Sequence, residues 1–379
     1  MEDQTGPLAI PEPSRAGRAH PLAVLAGPGN ALTHTAADYV LSDSARALIT
    51  EGVPANTQRA YTRQWAAFTA WCAAQDRLPL PATGHTLAEY TAALCATDQA
   101  PASIEQAIAA IRTMHRLSGH PGQPGTDAAR LALRAHKRRR ATSGNGRRQA
   151  PPLTIPDLRA MIDACDLDSV IGLRDRLLLV LGLALMGRRS ELVALHRADV
   201  REVPDGLEVR IGTSKTDKDS AGQTVAIPRG SHPLTDPVAA WRDWLQALDQ
   251  AEQHSRDGAH HDDQDPGRGS GPGEQAGGST GRGRLLRRVD RHGAIGPSLT
   301  GESVNVIVGD LAVRAGVPNA EAVTAHSLRA GGATVAYAAG VPVSVIAAHG
   351  RWAPNSPVVL GYIRAVDRWR DNAMRNVGL

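Results

Sequence analysis

The sequence predicts a mainly α-helical protein in two globular parts, the second carrying a small antiparallel sheet. Three observations predict it. From Thr57 onward apolar residues recur at three- and four-residue intervals, the period of one helix face. A run of small polar residues, Ala141-Thr142-Ser143-Gly144-Asn145-Gly146, breaks that pattern in the first half of the chain. Two β-like stretches, one ending at Ile211 and one starting at Thr224, enclose a loop that holds Lys215 and Lys218.

The chain has 379 residues, enough for two cores. Residues 1–40 are rich in Pro, Gly and Ala without periodicity and read as a disordered tail. Tyr61, Trp65, Phe68 and Cys72 then mark one helix face, closed by Leu78-Pro79-Leu80-Pro81. Leu87, Tyr90 and Leu94 mark a second helix, Ile104, Ile108 and Ile111 a third, and a fourth runs from Asp127 towards Lys137-Arg138-Arg139-Arg140. The aromatic residues of the first helix read as core in this helical domain, 41–140. A linker, 141–152, leads to a second domain, 153–379.

Thr154 and Asp157 have capping-box spacing, with helices expected at Leu158–Cys165 and Leu173–Met186. Val238, Trp241, Leu245 and Leu248 mark a further amphipathic helix. The segment 252–283 holds nine Gly and six acidic residues with almost nothing apolar, so it reads as a disordered insertion. Its His260-His261-Asp262-Asp263 run is a poor metal site, because adjacent side chains diverge. Val304, Ile307, Val308 and Leu311 mark the next helix.

The net charge is only +4, but residues 41–150 carry fourteen Arg and Lys against seven Asp and Glu. The densest part, Lys137, Arg138, Arg139 and Arg140 with Arg147 and Arg148, reads as a phosphate-binding surface. Cys72, Cys95 and Cys165 lack ligand spacing and read as buried free thiols of a reducing compartment. The apolar run Leu177–Met186 is half a membrane span, and the N-terminus has no signal-like pattern, so a soluble cytoplasmic protein without a membrane partner is expected.

Chemistry concentrates in three places. Gly187-Arg188-Arg189-Ser190-Glu191-Leu192 follows the apolar run. Lys215 sits in the hairpin loop. His326-Ser327-Leu328-Arg329-Ala330-Gly331-Gly332 opens a small-residue helix, followed by His349-Gly350-Arg351-Trp352 and by Tyr362 in Val358-Val359-Leu360-Gly361-Tyr362-Ile363-Arg364. In this order and spacing, over roughly residues 50–370, the boxes resemble those of the tyrosine recombinases (the phage integrase family), in a Cre-like variant.

The resemblance implies a helical, SAM-like core-binding domain followed by a mixed, mostly helical catalytic domain. It implies a site-specific recombinase or integrase in which Tyr362 attacks a DNA phosphorus and becomes a 3′-phosphotyrosine. Arg188 and Arg329 would hold the two non-bridging oxygens, for which a planar, permanently charged guanidinium is suited. His326 would donate a hydrogen bond or assist proton transfer, and Lys215, with Lys218 as rival, would protonate the leaving 5′-oxygen. Trp352 would pack beside the phosphate, with His349 as alternative occupant because Trp352 lies one residue further from the tyrosine than the family usually has it. Glu191 would orient Arg188 or His326.

No cofactor and no metal are implied, since the phosphotyrosine conserves the bond energy for rejoining. The expected partner is double-stranded DNA, gripped by a two-domain clamp. A homotetramer on two DNA sites, associated with the nucleoid, would exchange strands through a Holliday junction. Accessory proteins that bend DNA or set direction can join it, and the C-terminal segment Asp367–Asn376 would dock on a neighbouring protomer. A type IB-like topoisomerase and a DNA-binding protein with a vestigial site are the alternatives.

Overall fold

The computed structural model describes residues 42–145, 150–212, 222–262, 283–353 and 356–370, together with Met374. The expected tail 1–40, the loop with Lys215 and Lys218, Arg147, Arg148 and residues 263–282 lie outside the described residues. The chain divides into two compact units, Met1–Arg148 and Gln149–Leu379.

The first unit is built from α1 (Asp43–Glu51), α2 (Ala55–Ala74), α3 (Gly84–Ala96), α4 (Pro101–Leu117) and α5 (Asp127–Thr142). The Thr83 side chain accepts from the Thr86 N–H and starts α3, while Pro101 at the first turn of α4 has no N–H to leave unpaired. The apolar faces meet in a core of Phe68, Cys72, Leu87, Tyr90, Ile104, Ile111 and Leu133. Phe68 is fully buried, with its ring 5.1 Å from that of Tyr90 in an edge-on arrangement. His115 is equally buried and bridges two segments. Its Nε2 accepts from the Ala82 N–H at 2.8 Å while Nδ1 donates to the Ile111 carbonyl at 2.8 Å, so it sits as the neutral ring. Burial holds its pKa below the usual histidine value.

The second unit contains α6 (Ile155–Asp163), α7 (Val170–Ala184), α8 (Arg189–Ala194), β1 (Val200–Val203), β2 (Gly206–Ile211), β3 (Gln223–Pro228), α9 (Pro237–Asp262), β4 (Arg287–Val289), β5 (Ile295–Ser298), α10 (Gly301–Arg314), α11 (Ala325–Ala338), α12 (Val343–His349) and α13 (Pro357–Arg370). The architecture is mainly helical, with β1, β2 and β3 in one antiparallel sheet and β4 paired with β5 in another. The Thr154–Asp157 capping box forms as its spacing predicts. α7 is buried nearly all round, its Leu177, Leu178, Leu179 and Leu181 fully enclosed. Two arginines on it are tied down: Arg174 reaches Asp175 at 2.6 Å and the Arg287 carbonyl at 3.2 Å, and Arg176 reaches Asp243 at 2.6 Å and the Leu234 carbonyl at 3.0 Å. No described helix is long and apolar enough to cross a membrane.

Two elements extend beyond their sequence reading. α1 precedes the first expected helix, and α9 continues to Asp262, ten residues past the expected start of the disordered insertion. Ala251, Glu252 and Gln253 are good helix formers and no proline intervenes before Pro266, so propagation of a helix already docked by Val238 and Trp244 carries through a segment too polar to nucleate one.

Candidate active site

Between α7 and α8 the chain turns at Met186, whose φ is +46°, and Arg188 becomes the cap of α8. Its guanidinium Nη1 donates to Glu191 Oε1 at 2.5 Å, and its backbone N–H donates to Glu191 Oε2 at 2.9 Å. Glu191 is thus the partner of Arg188, the first of its two expected roles.

α11 starts at Thr324, whose hydroxyl accepts from the His326 N–H at 3.2 Å. One turn separates His326 from Arg329, and their environments differ. His326 is exposed, while Arg329 is buried. The glycines after it account for that depth. A Cβ on Gly331 would stand 2.3 Å from the Leu153 carbonyl oxygen, and one on Gly332 2.4 Å from that of Leu183. Only hydrogen at both positions lets α11 lie against the neighbouring main chain. The Arg329 guanidinium then reaches the Met186 and Gly350 carbonyls, the latter at 2.7 Å. Burial, and after it the charge of Arg188, pulls the Arg329 pKa down to about 9, still well above neutrality.

The turn after α12 closes the arrangement. Trp352 lays its indole over the Arg329 guanidinium, 3.9 Å from the ring centroid, a cation–π stack. His349 instead points its Nε2 to the Ala184 carbonyl at 2.8 Å, tying the end of α12 to the end of α7. Of the two candidates for the Trp position, Trp352 is the one against Arg329. Arg351, between them, donates to Glu191 Oε2 at 2.9 Å, and its own carbonyl accepts from Arg188 Nη2 at 3.4 Å.

Tyr362 sits on α13, which packs on α11 through Val359 and Ile363 in a small apolar cluster with Met186, Ala330 and Ile346. Its phenol oxygen lies 2.6 Å from His326 Nε2, and its ring meets that of Trp352 edge-on at 6.1 Å. Arg188, Glu191, His326, Arg329, Trp352 and Tyr362 therefore form one linked cluster from three separate stretches of chain. Two guanidiniums, those of Arg188 and Arg351, share the Glu191 carboxylate, and the Arg329 charge lies near enough to feel it. Burial alone would raise the Glu191 pKa, but the Arg188 N–H and the Arg351 and Arg188 cations together hold it below the ordinary value. Such a site is positive and suits an anion beside a phenol.

The basic cluster lies in the first unit. Lys137 pairs with Glu105 at 2.5 Å and Arg140 with Asp98 at 2.5 Å, while Arg138 and Arg139 are exposed on α5. A cleft of about 680 Å³ opens between α4 and α5, lined by Arg112, Arg116, Arg130, Arg134 and Lys137. The sequence reading missed the first four, which are legible only as i, i+4 rows on two facing helices.

No family model matches the chain. Among characterised proteins it is similar to an integrase/recombinase XerD homolog of Selenomonas ruminantium, 28% identical over 326 residues, which cover 85% of each chain. It is similar to the Cre recombinase of Escherichia phage P1, 25% identical over 80% of this chain and 82% of that protein. The tyrosine recombinase XerC of Xanthomonas campestris is 30% identical over 239 residues, 63% of this chain and 66% of XerC. The chain belongs to the tyrosine recombinases. A solved lambda integrase dimer bound to a COC′ core site superposes with a TM-score of 0.49 at 14% identity, over 84% of this chain and 91% of that one. In this tyrosine recombinase the first arginine, the histidine and second arginine, the tryptophan and the tyrosine of the sequence boxes all meet; the lysine box lies outside the described residues.

Proposed function

We propose that this chain is a site-specific DNA recombinase that breaks and rejoins strands through Tyr362. The observation that carries the reading is the 2.6 Å contact between the Tyr362 hydroxyl and His326 Nε2, in a cluster that also holds the Arg188 and Arg329 guanidiniums. The phenol, with an ordinary pKa of about 10, needs a proton acceptor and nearby positive charge to act at neutral pH. His326 Nε2, when unprotonated, accepts that proton as the phenolate oxygen bonds to phosphorus. Arg188 and Arg329 retain further N–H groups for the two non-bridging oxygens, and Trp352 fixes the plane of Arg329. The bond from phosphorus to the 5′-oxygen breaks, and that oxygen takes a proton from Lys215, with Lys218 as the alternative donor.

The product is a 3′-phosphotyrosine and a free 5′-hydroxyl. Attack by another 5′-hydroxyl reverses every step, so strand exchange consumes neither water nor nucleotide. The helical domain 41–140 would hold the duplex through phosphate contacts from its α4–α5 cleft and from Arg138 and Arg139, with 141–152 linking it to the catalytic part as a clamp. Two sites would be brought together by a homotetramer working through a Holliday junction on nucleoid DNA, to which accessory DNA-bending or directionality proteins can be added. The segment Asp367–Asn376, half of it outside the described residues, is proposed as the docking piece between protomers.

The test uses a pool of duplexes nicked a few bases from a fixed phosphate, with randomised flanking sequence. Wild type should trap a covalent adduct on a selectable subset, carried by the Tyr362 peptide, and Tyr362→Phe should trap none. Absence of an adduct with wild type would leave a DNA binder. Relaxation of any plasmid regardless of sequence would favour a topoisomerase.

A further inference from the structure

We infer that Arg351 is a positioning residue for Arg188, acting through Glu191 and through its own main-chain carbonyl. The inference rests on the recombinase reading above and adds a residue to it.

Arg351 occupies a position where its residue type is locally unfavourable. It follows α12 at the left-handed position after the helix cap, with φ +58°, where glycine is the ordinary residue. It is 7% exposed, and its Nε has no hydrogen-bond partner among the described residues. An arginine that is backbone-strained, desolvated and incompletely paired is not explained by stability, since a buried ion pair seldom improves on an apolar filling.

What the side chain reaches accounts for it. Nη2 donates to Glu191 Oε2, and to the Leu185 carbonyl at 3.3 Å, while Nη1 donates to the His349 carbonyl at 3.0 Å. Glu191 is thereby fixed in rotation: Oε2 is held by Arg351 and the Arg188 N–H, leaving Oε1 to receive Arg188 Nη1. The same turn offers the Gly350 carbonyl to Arg329 and the Arg351 carbonyl to Arg188, so one short piece of chain sets both guanidiniums.

Charge points the same way. Glu191 alone would offset Arg188 and leave the pair neutral towards a phosphate. With Arg351 on the other oxygen, the carboxylate is shared, and Arg188 keeps its attraction for an anion.

The test is single-turnover adduct formation on a duplex selected by wild type from the randomised nicked pool. The same duplex is also prepared with a methylphosphonate at the cleaved position, which has no charged non-bridging oxygen for Arg188 to hold. Arg351→Gln should slow cleavage of the phosphodiester by about 100-fold, the scale of a small misplacement of a reacting group. Duplex affinity should stay within about threefold, because the phosphate contacts of the first unit remain. The loss should not deepen in an Arg188→Ala background, and should shrink to a few-fold on the methylphosphonate. Arg351→Lys, which keeps a cation for Glu191 but loses the paired carbonyl contacts, should recover part of the rate. If Arg351→Gln does not fold, Arg351→Lys carries the comparison, with the same dependence on substrate.

A defect equal on both substrates and additive with Arg188→Ala would make Arg351 structural and overturn the inference, as would wild-type rates in Arg351→Gln. Failure of wild type itself to form an adduct would instead remove the recombinase reading, and this inference with it.

Discussion

The Tyr362 hydroxyl and His326 Nε2 stand 2.6 Å apart, joining α13 to the first turn of α11. Under the function proposed above, the contact gives Tyr362 a proton acceptor before DNA arrives. His326→Ala should therefore reduce the single-turnover rate of adduct formation by about 100- to 10,000-fold, the usual range for losing a positioned proton-transfer group. Duplex affinity, measured by anisotropy, should change little. An unchanged cleavage rate would show the contact to be incidental.

Glu191 makes a second prediction, about stability. Its carboxylate pKa is held low in the fold by Arg188 and Arg351, against the opposing effect of burial. A depressed carboxylate pKa contributes stability that is complete above the unfolded value of about 4.5 and is lost as pH falls through the folded value. Glu191→Gln should cost on the order of 3 kcal/mol at pH 7, the cost of breaking a buried pair. The gap from wild type should narrow below pH 4.5. Urea unfolding from pH 7 down to pH 3.5 measures it, and a constant gap would sink the account.

All three cysteines are buried and unpaired by disulfides, and burial raises each thiol pKa, that of Cys165 to about 12. Native protein should show no fast-reacting thiol towards a disulfide reagent at pH 8, and three once unfolded in guanidinium. One fast thiol in the native state would contradict the burial described.

Gly332 faces the Leu183 main chain too closely for a side chain. Gly332→Ala should destabilise the protein by about 1–3 kcal/mol, the usual range for overpacking, and should also lower cleavage by shifting Arg329. Gly316, with nothing among the described residues within 4 Å of its Cβ position but a φ of +65°, is the control: Gly316→Ala should strain only the backbone and leave the cleavage rate intact.

The α4–α5 cleft predicts a salt effect. Arg130→Ala and Arg134→Ala should weaken DNA binding across sequences and each lower the slope of log affinity against log salt by about 1. A slope unchanged in both would place the duplex elsewhere.

The boxes around Arg188, Arg329 and Tyr362 were legible through their order and spacing, which resemble those of the tyrosine recombinases; arginine for phosphate oxygens and tyrosine for attack on phosphorus are the roles that resemblance implies. Helix periodicity placed α2 to α5 for a direct reason, since one face of each must bury Phe68, Leu87, Ile104 and Leu133. The sequence pattern gives Arg351 no role, because the one inferred for it depends on a left-handed turn and a carboxylate 160 residues away. The distinction between Trp352 and His349 was likewise tertiary: it turns on which side chain reaches Arg329 and which reaches the α7 carbonyl. The length of α9 was missed because composition governs nucleation more strongly than continuation of a helix already anchored.

Gly350 lies directly beneath the Trp352 ring, and a Cβ built there would fall 1.8 Å from an indole carbon. Two positions of this turn are therefore not free to drift separately. Any side chain acquired at 350 evicts the aromatic plate from Arg329, whereas a slimmer ring at 352 would first vacate the space. Mutational routes that change the identity of the plate must pass through 352 before 350, and a library randomising 350 alone should return glycine.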